Sequence, residues 1–191
     1  MGRVSQAQAE ENRRRVVETA SRLFREQGTQ VSVADLMKAA GLTHGAFYKQ
    51  FASKEALVDE ATAHAFDELA RSHTAGLTRY EGQRGAAQRA LIDAYLSVDH
   101  RDDPADGCPI AALATDIARE GEDREARRVY TEGVVDFAAF LASAGDDEGG
   151  GDGIARLCTL FGALVLSRAT KGSPLSEEIL TAAQAALTEA R

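Results

Sequence analysis

Residues 32–57, SVADLMKAAGLTHGAFYKQFASKEAL, leave the chain little choice of local structure. Ser32 can cap a helix, with Asp35 three residues on in the reciprocal capping position. Val33, Leu36, Met37 and Ala40 then recur at helical spacing and give one apolar face. Gly41 suits the left-handed residue that ends such a helix. Leu42 plugs the corner, and Thr43 can cap the next helix. That second helix is expected over His44–Phe51, with Phe47 and Phe51 turned inward. Its opposite surface offers His44, Gly45, Ala46, Tyr48, Lys49 and Gln50. Small, polar and cationic groups over an aromatic anchor suit insertion into a DNA major groove. A third helix begins at once near Lys54, so the pattern predicts a helix-turn-helix with its recognition helix.

This stretch resembles the N-terminal DNA-binding domain of the TetR family of bacterial transcriptional regulators. The resemblance rests on Gly41, Leu42, Thr43, Gly45, Ala46, Phe47, Tyr48, Phe51, Lys54, Glu55 and Leu57. Upstream, RRRVVETASRLFREQG carries Ala20, Leu23, Phe24 and Gly28 at matching places. The close match covers about the first quarter to third of the chain. It implies an all-α fold of about nine helices. A three-helix DNA-binding domain is expected over 1–54, and a helical effector-binding and dimerisation domain over 55–191. It also implies roles: His44, Gly45, Ala46, Tyr48 and Gln50 approach bases or the adjoining backbone, and Thr43 and Lys49 lie at the groove edge. Ser32 and Lys54 contact phosphate at helix N-termini, whose dipoles favour an anion. Tyr48 stays open between a packing ring and a hydroxyl that reaches phosphate.

The net charge of −8 at first opposes DNA binding, but the charge is unevenly spread. Residues 1–54 hold nine Lys/Arg against five acids, a local +4 that leaves −12 for the rest. Phosphate attraction acts over roughly a Debye length, about 8 Å in physiological salt. A cationic N-terminal face can therefore bind DNA while an acidic body limits non-specific contact. With 44% hydrophobic and 27% charged residues the chain is an ordinary globular one. It has no uninterrupted apolar run of about 18 residues, and its opening MGRVSQAQAEENRRR has no apolar run behind the arginines. Neither a membrane span nor a secretory leader is expected. Cys108 and Cys158 are the only cysteines, which fits a reducing cytoplasm better than a disulfide scaffold.

Helices are expected at about Gln8–Gln27, Lys54–Tyr80, Ala86–His100, from Pro109, Asp123–Ser143, Ile154–Thr170 and Pro174–Glu189. The arginines of the first, Arg13, Arg14, Arg15, Arg22 and Arg25, read mostly as a solvated face, with one or two near the N-terminus able to reach phosphate. The long helix from Lys54 is the rigid link between the halves. The run Gly145–Gly153 is acidic and glycine-rich and is expected to be flexible. The helix after it is apolar nearly all round, so it needs cover on two sides. A central helix fully buried within a monomer would meet that need; the expected cover is instead a symmetry mate, in a four-helix interface drawn from Leu157, Phe161, Leu164, Val165, Ile179 and Ala183. A dimer also suits the reading of two operator half-sites one helical turn apart.

By architectural resemblance the middle helices hold a small-molecule effector, with Phe66, Tyr95, Cys108, Asp116, Tyr130, Phe137 and Phe161 as candidate contacts. Core packing is the plainer reading of the aromatics. Cys108 sits at the cap of a helix that starts with Pro109. The dipole there favours a reactive thiolate, while Asp102, Asp103 and Asp106 oppose it. The function these features imply is a homodimeric repressor of a palindromic operator, released by an inducer. A DNA-binding protein without a ligand, acting structurally or through a protein partner, shares every N-terminal feature. An enzyme is the remote alternative: His44, His64, His73 and His100 are scattered, and no catalytic motif, metal-ligand spacing or cofactor fingerprint is present.

Overall fold

In the computed structural model, which describes residues 6–142 and 151–189, serines and prolines mark where helices begin. Helix α1 spans Gln6–Gln27, α2 Val33–Ala39, and a short 3-10 helix His44–Lys49. Then come α3 Lys54–Arg79, α4 Arg84–Tyr95, α5 Val98–Asp102, α6 Pro109–Ile117 and α7 Glu125–Leu141. Helices α8, Gly151–Ala169, and α9, Pro174–Glu189, complete the fold. The hydroxyls of Ser32, Ser53 and Ser97 cap α2, α3 and α5, accepting from the backbone N–H three residues on at 3.1, 3.2 and 3.1 Å. Pro109 and Pro174 occupy the first position of α6 and α9, where a missing N–H costs nothing. The described residues contain no strand, and none of their helices is long and apolar enough to cross a membrane.

Several expectations change. The helix expected over Ala86–His100 is two helices, because Ser97 caps a new start and Leu96 closes the old one. The helix expected over His44–Phe51 is a 3-10 helix that stops at Lys49, short of Phe51. Thr43 holds its N-cap place, but its side chain makes no capping hydrogen bond. The glycine-rich run lies outside the described residues at 145–150, while Gly151–Gly153 already belong to α8.

Two apolar cores organise the molecule. The first joins α1, α2, the 3-10 helix and the start of α3: Val16, Ala20, Phe24, Leu36, Met37, Phe47, Phe51, Leu57, Val58 and Ala61. It also takes in Leu113 and Ile117 of α6 and Ala126 of α7. The second gathers Phe66, Ile92, Tyr95, Ile110, Phe137, Leu141, Leu160 and Leu164 with the inner face of α9. Helix α3 thus begins in one core and continues into the other, and α6 does the same in reverse. Leu157, Leu164 and Ala183, expected at a subunit interface, face this second core instead. Each completes the packing of its own chain. Phe161 and Ile179 pack partly against it, and Val165 stays exposed.

Side-chain contacts fix the joint between the halves. Arg25 is buried rather than solvated. Its guanidinium donates to Glu68 of α3 at 2.9 Å and to the Gly107 carbonyl at 3.2 Å. Arg22 pairs with Asp106 at 2.5 Å. Gly28 turns the chain with φ +82°, and its missing Cβ leaves room for Asp116. The Asp116 carboxylate accepts from the Thr29 N–H at 2.9 Å. Asp116, a candidate ligand contact by sequence, is therefore a tie between α6 and the first half.

Close packing makes two stability predictions. A Cβ on Gly133 would lie 2.0 Å from the Phe66 ring. Overpacking of this kind costs about 1–3 kcal/mol, more than the roughly 1 kcal/mol a helix gains from alanine. Gly133→Ala should lower the urea midpoint, whereas Gly76→Ala, with open space at its Cβ, should not. His73 stacks between Phe137 and Phe140, 4.6 Å from each ring centroid. Burial lowers its pKa from 6.5 to about 4. The unfolded chain binds the proton first, so stability falls as pH drops from 6.5 towards 4. His73→Phe should remove on the order of 2 kcal/mol of that acid sensitivity in equilibrium denaturation.

Candidate nucleic-acid interface and ligand cleft

The recognition surface is built from the core outward. Phe47 is fully buried and stacks on Phe51, with ring centroids 5.4 Å apart. Gly41, at φ +70°, makes the turn that delivers the 3-10 helix to that core. With its aromatic side buried, the helix presents the remainder outward. Tyr48 is 66% exposed and stands edge-on to Phe47 at 5.2 Å and to His44 at 5.9 Å. Thr43, His44, Gly45 and Lys49 are exposed, and Ala46 is half-buried. Gln50 is half-buried, and its carbonyl oxygen is sealed without a hydrogen-bond partner among the described residues. Gln50 is thus less available than its neighbours.

Ser32 is exposed at the start of α2, and Lys54 opens α3, so two helix N-termini flank the same surface. Their free N–H groups and dipoles favour phosphate. Lys38, Lys49 and Lys54 form no ion pair among the described residues. The arginines of α1 are engaged instead. Arg13 binds both carboxylate oxygens of Glu60 and lies 4.7 Å from the Phe51 ring centroid, clamping α1 to α3. Arg14 pairs with Glu11. Ser53, the cap of α3, escaped the sequence reading although a serine directly before KEAL is a legible cap signal.

A cleft of about 840 Å³ opens between α3, α4, the loop before α6, and α7. Of the seven candidate contacts it includes Tyr95, Cys108 and Phe137. Phe66 packs on Tyr130, whose hydroxyl donates to the Ile110 carbonyl at 2.8 Å. Phe161 packs on the second core from α8. These three and Asp116 lie outside the cleft because each is committed to packing or to the joint. The cleft is completed by His73, Leu69, Leu91, Phe140 and, from α1, Arg25. No sequence signal singled these out, since residues on several helices and a loop meet only after folding.

The loop beneath the cleft is firmly held. The Cys108 N–H donates to His100 Nε2 at 3.2 Å, which makes Nδ1 the donor to the Tyr95 carbonyl at 2.7 Å. Arg168 of α8 donates to the carbonyls of His100 and Arg101 at 3.0 and 3.1 Å. Cys108 is 4% exposed, and burial pushes its thiol above the ordinary range. Desolvation outweighs the helix-terminal effect, so the thiol keeps its proton and the activated-thiolate reading fails. Among the described residues no cluster of His, Cys, Asp and Glu could hold a metal.

Similarity to known proteins divides along the same line. Residues 16–61 match the family model described as bacterial regulatory proteins, tetR family. Over 61 residues the chain is 39% identical to the HTH-type transcriptional regulator AcrR of Shigella flexneri, covering 31% of this chain. The chain spans only 28% of that curated relative's length. The fold matches the reduced form of NemR from E. coli with a TM-score of 0.77 at 19% identity, over 94% of this chain and 96% of that one. It also matches a TetR transcriptional regulator from Chloroflexus aurantiacus, with a TM-score of 0.72 at 22% identity over 96% and 98% of the two chains. Residues 16–61 thus carry the sequence pattern of the tetR family, and the chain as a whole has the fold of the solved structures it matches.

Proposed function

We propose that this chain is a cytoplasmic transcriptional repressor that binds a palindromic DNA operator as a homodimer and leaves it when a small molecule fills the cleft. The observation that carries the reading is the outward face of the 3-10 helix, with exposed Tyr48 above buried Phe47. One such helix contacts few base pairs, so a specific address needs two, about 34–36 Å apart on one face of the duplex. Exposed Ile154, Val165 and Leu166 on α8 and Leu175 on α9 support a self-complementary partner surface. A cleft of about 840 Å³ favours the ligand-responsive reading over an architectural one. Arg25 belongs to α1 yet lines that cleft, so a ligand there acts within contact distance of the DNA-binding half. A ligand shifts the protein only by preferring one of two arrangements of this joint.

Selection of bound duplexes from a random pool should return a near-palindrome. Tyr48→Ala should weaken the selected site by about tenfold or more. Lys54→Ala should weaken selected and random duplexes alike and lower the salt dependence by about one counterion. A change of base preference with Lys54→Ala would contradict its phosphate role. The double variant Val165→Glu, Leu166→Glu should sediment as a folded monomer and lose the selected site. A dimer that survives both charges would move the interface elsewhere.

A further inference from the structure

The cleft is mostly carbon, with Leu69, Leu91, Phe137 and Phe140 among its walls. Two polar atoms of its lining residues, Tyr95 Oη and His73 Nε2, are buried without a hydrogen-bond partner among the described residues. Tyr95 is only 6% exposed. Both rings adjoin Phe137, with centroids 6.2 and 4.6 Å from it. The polar group beside the Tyr95 hydroxyl is the Cys108 thiol, a weak acceptor, and His100 is occupied by the Tyr95 carbonyl and the Cys108 N–H, so the phenol lacks a strong acceptor. A buried donor left unpaired costs free energy, and a bound molecule that pairs it recovers that cost. Burial and the neighbouring Cys108 hold the Tyr95 phenol protonated well beyond its ordinary range, so it offers a donor. His73 is uncharged near neutral pH. Among the lining residues Glu68, Asp99, Asp103 and Asp106 outnumber Arg25 and Arg79; Glu68 already binds Arg25, Asp106 binds Arg22, and Arg168 lends some positive charge to the Tyr95 side. An incoming anion meets excess negative charge there.

We infer that the cleft takes an uncharged, mostly apolar carbonyl compound, such as an aryl ketone, whose oxygen accepts from the Tyr95 hydroxyl while its body lies against Phe137 and Phe140. This rests on the ligand-responsive reading above and adds the chemistry of the ligand. The carbonyl supplies the missing acceptor without bringing a charge, and the hydrocarbon replaces water along the aromatic wall. His73 Nε2 provides a second polar contact.

The test is displacement of the neutral fluorophore N-phenyl-1-naphthylamine from the full chain by three probes of similar shape. These are 2-acetylnaphthalene, 2-isopropylnaphthalene and 2-naphthoate. The ketone should bind about tenfold more tightly than the hydrocarbon, as one hydrogen bond allows, and the carboxylate should bind most weakly. Tyr95→Phe keeps the ring and removes an oxygen whose polar neighbour is the weakly accepting Cys108 thiol, so it should fold as the parent does, which circular dichroism checks. It should abolish the ketone's advantage and leave the hydrocarbon's affinity within about twofold. A ketone no better than the hydrocarbon, a carboxylate that binds tightest, an advantage that survives Tyr95→Phe, or no displacement by any probe would overturn the inference. Operator affinity measured at saturating ketone separates the two claims. Ketone preference with unchanged operator affinity upholds the ligand class and contradicts induced release. Release by the carboxylate alone upholds induced release and contradicts the ligand class.

Discussion

A 3-10 helix of six residues has almost no stability of its own. His44–Lys49 is held in place by the insertion of Phe47 and Phe51 into a core already formed by Val16, Ala20, Phe24, Leu36, Met37 and Leu57. Burying two such rings contributes several kcal/mol, on the order of 2–3 for each. That fixes the helix rotationally as well as in position. With Phe47 inward, Tyr48, Lys49 and His44 have nowhere to go but outward. The proposed recognition surface is the complement of the core, and it keeps its shape only while the aromatic pair stays packed.

The same core carries the surface's connection to the rest of the chain. Leu57, Val58 and Ala61 belong to it, and Phe66 further along α3 belongs to the second core, so α3 cannot tilt without disturbing both. Leu113 and Ile117 bind α6 to the first core while Ile110 sits in the second. Polar contacts reinforce the arrangement at points where apolar packing gives out. Arg25 spans α1, α3 and the loop before α6, and Asp116 holds the Thr29 N–H. The Arg25–Glu68 pair, with Arg25 buried and Glu68 partly exposed, is a geometric constraint more than a source of stability, because desolvation of the guanidinium and solvent screening of the carboxylate offset much of its attraction. A molecule lodged beside Arg25 therefore touches a part of the protein whose position is shared by both halves.

The N-terminal half was legible in the sequence because its constraints are local. Ser32 with Asp35, Gly41, and the Phe47–Phe51 spacing act within a few residues of one another, and the helix they imply lies where expected. Its 3-10 character was not legible, since i+4 aromatic spacing is compatible with either winding over so short a run. The split at Leu96–Ser97 was hidden for a similar reason. Leu91, Tyr95 and Val98 preserve helical spacing, yet Val98 is exposed on a helix of its own. In the C-terminal half, apolar residues were legible but their partners were not. Leu157 and Leu164 look alike from either side of α8, and only the positions of α7 and α9 turn them inward. The cleft was least legible of all. His73, Phe140 and Arg25 come from distant segments, and Phe66 was drawn away from it by the gap above Gly133.

If the outward face of the 3-10 helix is the surface that meets duplex DNA, binding must be felt there first. Amide and side-chain NMR shifts, recorded as a duplex recovered by selection is added to the full chain, read this out residue by residue. Large shifts are expected at Thr43–Lys49, with smaller ones at Ser32 and Lys54 and little direct change on the exposed faces of α8 and α9. Shifts centred on the C-terminal helices, with Tyr48 and Lys49 unmoved, would contradict that placement of the DNA.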